Sequence, residues 1–274
     1  MTERKDILDG LDTTNWTKRF GLIYTCNAGW IDLGHLNPHS ARPEIGAANL
    51  WRQVAAEGAP VVDPRCVPLP PSLPPHLHLQ HARNQPDHCP VDPLYRFEDN
   101  KTGYAVRFRE DHAGMPGRPG REGRYVVKHG LSVDEKRSVA LAIFMEISIK
   151  FENLQRLAGF FGVTQSGYSQ EDLVSNLIGF YIAVGDLSQY EAIRLCHPVS
   201  AATAYSIWDN EGAPGKNKNT TFAPKLARQT QTCVGPEKKC TDECASQPRK
   251  LPQVFTRITP ATKGRLFRDR PLPL

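Results

Sequence analysis

The chain opens polar. Residues 1–18 carry no apolar period and are expected to be a flexible N-terminus. Arg19-Phe-Gly-Leu-Ile-Tyr-Thr-Cys26 is then a short apolar run, the pattern of a buried strand. Asn27-Ala-Gly29 turns the chain into Trp30-Ile-Asp-Leu-Gly-His35, and Asn37-Pro38 breaks it again. Ser40 predicts a helix cap, with the helix running from about Pro43 to Ala56 and the proline early in its first turn.

Gly58 to Asp92 differs in kind. Its prolines favour extended backbone and remove donors, so residues 58–92 read as a Pro/His-rich surface insert. A hairpin is expected beyond it, with Leu94–Glu98 and Tyr104–Phe108 flanking a turn at Asp99-Asn-Lys-Thr-Gly103. A Gly/Pro-rich loop and a third strand over Arg124–Lys128 follow.

Helical signals dominate the second half. Ser132 and Glu135 form a capping box whose helix runs to about Ala158. Between Val139 and Ile149 that helix is apolar in every direction except at Glu146, which predicts a buried central helix. Ser169 with Asp172 opens the next helix, Ser188 another, and a short one covers Ala201–Trp208. The expected architecture is α+β and mainly helical, with a small antiparallel sheet around the buried central helix. One catalytic-type domain is expected over 19–210, followed by a basic, irregular C-terminal arm over 211–274.

Composition refines this picture in three places. From Glu211 onward 13 Lys/Arg face 5 Asp/Glu, so the net charge of +5 belongs to the arm. The arm lacks the basic and aromatic interleaving of a single-strand binder, and no nucleic acid partner is expected. No apolar run is long enough for a membrane span, and no apolar stretch with a cleavage site follows the charged N-terminus. Synthesis in the cytoplasm without a classical signal peptide is the expectation, and it leaves specialised export open. Seven cysteines are an odd number. The spacing of Cys233, Cys240 and Cys244 fits no standard zinc motif, and disulfides pinning the arm are the competing reading.

Glu146 is the sharpest chemical signal on this reading. A carboxylate on a helix with no wet face must be paired, neutral or bound to metal, and a raised pKa would suit a general acid. The bland alternative is a carboxyl satisfied by a neighbouring hydroxyl or amide. Glu152 lies about 120° further round the helix, where pairing with Arg156 competes with a functional role. In Asp32-Leu-Gly-His35 a helical turn would let the carboxylate orient the imidazole, against a plain capping or core-edge role. Cys26 and His35 are a weak nucleophile pair, because Cys26 closes an apolar strand and reads as a buried thiol. On the next helix Ser169 and Asp172 have a capping explanation, whereas Asn176 needs a buried hydrogen-bond partner. Tyr168, Ser169, Asp172 and Asn176 are the candidate substrate-binding residues. His76, His78, His81, His88 and Cys89 in the insert could take zinc, but a histidine-bearing loop with no metal is the preferred reading, and no cofactor is expected.

Two blocks carry a resemblance. Gly21-Leu-Ile-Tyr-Thr-Cys-Asn-Ala-Gly-Trp-Ile-Asp-Leu-Gly-His35, and Glu146–Glu152 with Ser169-Gln-Glu-Asp-Leu-Val-Ser-Asn-Leu-Ile-Gly179, resemble an uncharacterised family of bacterial envelope-associated proteins, a domain of unknown function. The likeness covers roughly residues 19–57 and 132–208. The family has a Trp-His-Glu triplet where this chain has Lys150-Phe151-Glu152, so the carboxylate is kept and a nitrogen ligand is lost. That weakens a metal reading and leaves acid–base chemistry open.

The leading expectation is a hydrolase of the bacterial envelope, acting on peptidoglycan glycan strands in the manner of a muramidase. Glu146 would be its general acid, helped by His35, Asp32 or Glu152. Without a signal peptide it would be an exported antibacterial effector acting in a target periplasm, carried by a secretion system and neutralised by an immunity protein. A metal-dependent hydrolase using His35 and Glu146 is the second reading, and a structural or adaptor protein the third.

Overall fold

The computed structural model describes residues 3–63, 66, 93–111, 120–160, 167–185, 187–235 and 239–270, and the architecture is α+β. Leu22–Thr25 (β1) and Gly29–Asp32 (β2) pair antiparallel, Thr25 opposite Gly29. The turn closes because Gly29 sits at φ +72, where a Cβ is disfavoured. Thr25 Oγ1 also accepts from the Ala28 amide and donates to the Gly29 carbonyl. Ile23 and Ile31 enter the main core while Leu22, Tyr24 and Trp30 enter a second cluster, the period-two split of strands buried on both faces.

β2 runs straight into the four-residue helix Leu33–Leu36 (α1), with Asp32 as its cap. The helix Ala47–Ala56 (α2) begins later than the proline predicts. Gly46 at φ +85 is its N-cap, and Arg42-Pro43-Glu44 forms an ion-paired loop tied by Arg42 to Asp111. Gly103–Asp111 (β3) and Gly120–Lys128 (β4) pair along their whole length. The hairpin expected from Leu94–Glu98 is present only at its turn, where Arg96 bridges Thr102 and the Phe97 amide donates to the Lys101 carbonyl; β3 takes β4 as its ladder partner, and Leu94 and Tyr95 join Val62 and Val61 instead. The longer register wins because every further cross-strand pair adds packing. Most of the 58–92 insert, with its histidines and Cys89, lies outside the described residues; Pro60 and Val62 in its first part make bridges to Tyr104 and Leu94.

Val133–Phe160 (α3) starts at the capping box, Ser132 and Glu135 exchanging hydrogen bonds. It packs on α2, β3 and β4. Its apolar stretch does have a wet stripe, which corrects the expectation of a helix buried in all directions. Ala142, Met145, Glu146 and Ile149 recur at helical spacing and keep contact with solvent, whereas Phe144, Ile147, Ser148, Phe151 and Glu152 face inward. The helix without a wet face is the next one, Asp172–Ala183 (α4), whose residues from Asp172 through Tyr181 are all buried. Gln189–Leu195 (α5) follows a second capping box, Ser188 with Glu191, and Ala201–Glu211 (α6) is capped by Ser200.

Residues 3–18 and 212–235 with 239–270 are built into the fold. In the N-terminal stretch expected to be flexible, Ile7 and Trp16 are buried, the Leu8 amide donates to the Leu22 carbonyl, and Trp16 Nε1 donates to the Gly10 carbonyl. The expected irregular arm is likewise structural. Gln231–Val234 (β5) and Lys239–Asp242 (β6) form a hairpin stapled by Cys233–Cys240, and Phe267–Asp269 (β7) pairs with β4 to complete a three-stranded sheet. Cys244 is bonded to Cys26 and buried, Phe255 packs on Tyr181, and Ala227 donates its amide to Tyr24 Oη. Apolar residues spaced without a helical or strand period gave no sequence signal for this packing. Cys66 is also disulfide-bonded, and Cys196 is free and buried. Among the described residues no helix is long and apolar enough to cross a membrane.

Candidate functional site

The site grows from the junction of β2 and α1. Asp32 Oδ1 accepts from the Gly34 amide at 2.6 Å and more weakly from the His35 amide, so the carboxylate opens the short helix and aims His35. The Asp32 amide donates to Ser175 Oγ on α4 at 3.0 Å. Gly179 then lets α1 lie against α4, since a Cβ there would stand 2.6 Å from the Leu36 carbonyl oxygen. This close approach puts His35 Nδ1 3.3 Å from Asn176 Oδ1 and Nε2 3.6 Å from Asp172 Oδ1. Both ring nitrogens face oxygen, an arrangement that suits the doubly protonated imidazolium. Burial opposes that charge, but Asp172, Asp32, Glu152 and Glu171 outweigh it and push the His35 pKa up to about 10. The side chain keeps 32 % exposure, so the site can be reached from outside.

A second group of carboxyls comes from α3 and the segment before α4. Gly167 packs on α3, where a Cβ would lie 2.5 Å from the Arg156 amide nitrogen, and brings the following residues onto the helix. Tyr168, in the left-handed region at φ +60, donates its amide to Glu152 Oε2 at 2.5 Å. The very next amide, Ser169, donates to Asp172 Oδ2 at 3.1 Å. Consecutive amides thus hold Glu152 and Asp172 side by side. Glu152 is 0 % exposed, and its Oε1 has no hydrogen-bond partner among the described residues.

Burial, with Asp172 and Glu110 adding like charge, raises the Glu152 carboxyl to about 8 despite the pull of His35 and the Tyr168 amide. Burial and Asp172 raise Glu171 to about 7, and burial raises Asp172 as well. The arm supports the segment from behind: the Tyr168 carbonyl accepts from the Asn219 amide, the Gln170 amide donates to Pro214, and Gln170 Nε2 donates to the Lys225 carbonyl.

Of the residues singled out from the sequence, His35, Asp32, Glu152, Tyr168, Ser169, Asp172 and Asn176 come together here. Glu146 does not. It lies on the wet stripe of α3, its side chain 23 % exposed, with Lys150 at 2.5 Å one turn on and Lys263 at 2.8 Å. Burial works to raise its pKa, but the two ammonium groups win and hold it below the ordinary value. The premise of an isolated carboxylate fails because one cation is local and the other arrives from the arm. The two cations, and not His35, are the charges that meet Glu146, whereas the metal-dependent reading pairs it with His35.

Sequence reasoning missed Glu110, Ser148, Glu171, Gly167 and Gly179. Ser148 and Glu152 at i,i+4 on an otherwise apolar helix were a readable signal; Glu110, near the end of a strand, was not. Among the described residues no three His, Cys, Asp or Glu are spaced to hold a metal ion. A separate cavity of about 400 Å³ opens between Phe97, Lys128, Glu135 and Arg265, with Asp99 paired to Lys128 and Glu98 to Arg268 along its lining. No known protein family, curated protein or solved structure matches the chain.

Proposed function

We propose that this protein is a hydrolase that works by acid–base chemistry at the His35, Glu152 and Asp172 cluster, with Glu152 as the general acid in place of Glu146. The observation that carries the reading is the Glu152 carboxyl. It is buried, raised to about 8, bonded through one oxygen only, and set among the carboxyls around a solvent-reachable imidazole. A carboxyl protonated at neutral pH can give its proton to a leaving group, and enzymes raise acids into this range by burial and like charge. Asp172 and Asn176 hold His35, and Asp32 orients it, so the imidazolium can steady negative charge that develops on the substrate.

The substrate we propose is a bacterial envelope polymer, peptidoglycan glycan strands first. One feature supports a setting outside the reducing cytosol: the disulfides Cys26–Cys244 and Cys233–Cys240, which suit an oxidising compartment. An exported antibacterial effector with a secretion-system carrier and a matching immunity protein fits the same setting. The test is digestion of purified sacculi by wild type, Glu152→Gln and Glu146→Gln. We expect wild type and Glu146→Gln to release soluble muropeptides and Glu152→Gln to release none. Sacculi left intact by wild type would turn the assignment toward a structural or adaptor role, and equal digestion by Glu152→Gln would remove Glu152 as the acid.

A further inference from the structure

We infer that Glu110 is the second working carboxyl of this site, the proton acceptor paired with the donor Glu152. The chemistry rests on the hydrolase reading, whereas the pairing rests on placement. Glu110 stands near the end of β3, and Ser148 Oγ donates to its Oε1 at 2.6 Å. Ser148 is wholly buried and lies one turn before Glu152 on the inner face of α3. Side chains at that spacing are neighbours, so the hydroxyl that fixes Glu110 also fixes it beside Glu152. The unpartnered Oε1 of Glu152 is therefore an oxygen held in reserve within a pair of carboxyls brought from two different elements.

Every element packed on the pair contributes charge. His35 comes from α1, Asp32 from its cap, Glu171 and Asp172 from the start of α4, and Lys218 reaches Asp172 from the arm. On β3 itself Arg109 and Asp111 flank Glu110, Asp111 is bound by Arg42, and Arg121 of β4 stands directly opposite Glu110 in the ladder. Burial raises Glu110 to about 7, with Ser148 and His35 pulling it down, against about 8 for Glu152. The Ser148 hydroxyl donated to Glu110 favours its ionised form, whereas the bare Oε1 of Glu152 favours the neutral one, the split that an acceptor and a donor need.

In the step this allows, Glu152 gives its proton to the leaving-group oxygen as the bond from carbon to that oxygen breaks. Glu110 takes a proton from the water whose oxygen forms the new bond to the same carbon. One water is consumed, Glu152 ends ionised and Glu110 protonated, and exchange with solvent past His35 restores both.

The experiment is a carboxyl-carbon NMR titration of protein labelled at glutamate, for wild type, Glu110→Gln and Ser148→Ala, with no substrate present. Wild type should show Glu110 ionising before Glu152. In Glu110→Gln the Glu152 midpoint should fall, because a like charge has gone. In Ser148→Ala the Glu110 midpoint should rise, because a hydrogen bond to the carboxylate has gone. On sacculi, Glu110→Gln should lose the acid-side limb of the pH profile and on the order of 100-fold in rate. A Glu152 midpoint unmoved by Glu110→Gln, Glu152 ionising first, or full activity in Glu110→Gln overturns the pair. If wild type digests nothing while the titrations couple as stated, the hydrolase reading falls and the carboxyl pair stands.

Discussion

Replacing Glu152 by Gln should make the protein more stable, and more so as pH rises. In the fold this carboxyl is wholly buried and titrates at about 8, whereas its ordinary value is 4.5. Above 4.5 the unfolded chain releases this proton while the folded chain keeps it. The native state then binds more protons, and stability falls with pH until the folded group also ionises. Each unit of difference is worth about 1.4 kcal/mol, so the loss reaches about 4 kcal/mol at pH 8 and about 1 kcal/mol at pH 5. Gln carries no such penalty. It can still accept from the Tyr168 amide, and its amide group can donate to the neighbouring carboxyls. With an unfolding entropy of about 2.1 cal/mol/K per residue, the variant should melt about 7 °C above wild type at pH 8 and within about 2 °C of it at pH 5. Calorimetry of both proteins at the two pH values measures this. A variant less stable than wild type at pH 8, or a gap that does not shrink on acidification, would refute the reasoning.

Two further outcomes follow from geometry. Gly179→Ala sets a Cβ 2.6 Å from the Leu36 carbonyl oxygen, so it should cost about 1–3 kcal/mol in overpacking and lift α1 from α4. Thermal melting and a fall in the His35 titration midpoint, read by NMR, check it; an unmoved midpoint would mean that the close approach does not position the imidazole. For the disulfides, chain entropy assigns about 5 kcal/mol to Cys26–Cys244, which closes a separation of 218 residues, and about half that to Cys233–Cys240, which closes 7. Urea unfolding should therefore show Cys244→Ser losing about twice what Cys240→Ser loses, and equal losses would contradict the account.

The parts of the fold that were legible in the sequence are those made by local chemistry. The capping boxes at Ser132 and Ser188 start the helices that they predict, and the β1 run and the Asn27-Ala-Gly29 turn lie where their residues place them. What was not legible depends on contacts far apart in the chain. Burial of α3 was overread because Ala142, Met145 and Ile149 are apolar yet face solvent, and apolar composition all round a helix does not exclude a wet side. Glu146 looked isolated because Lys263, one of its two partners, lies 117 residues away. Within the site, Asp32, His35, Glu152, Asp172 and Asn176 were visible as polar residues in apolar or capped surroundings. Glu110 was hidden because a polar residue near a strand end is ordinary, and only Ser148 on another element gives it a buried place.

The support of Tyr168 and Gln170 by Pro214, Asn219 and Lys225 also sets a schedule for the newborn chain. A polypeptide released from the ribosome only as far as α4 already contains every acid and the histidine of the cluster, but not the strap that fixes the amides beneath Glu152 and Asp172. The first half cannot mature ahead of the second, because β4 awaits β7 and Cys26 awaits Cys244. Such long-range closure slows folding and keeps the acids unassembled until synthesis is nearly done. The carboxyl and histidine cluster is thereby completed late, on a chain whose remaining segments are already made.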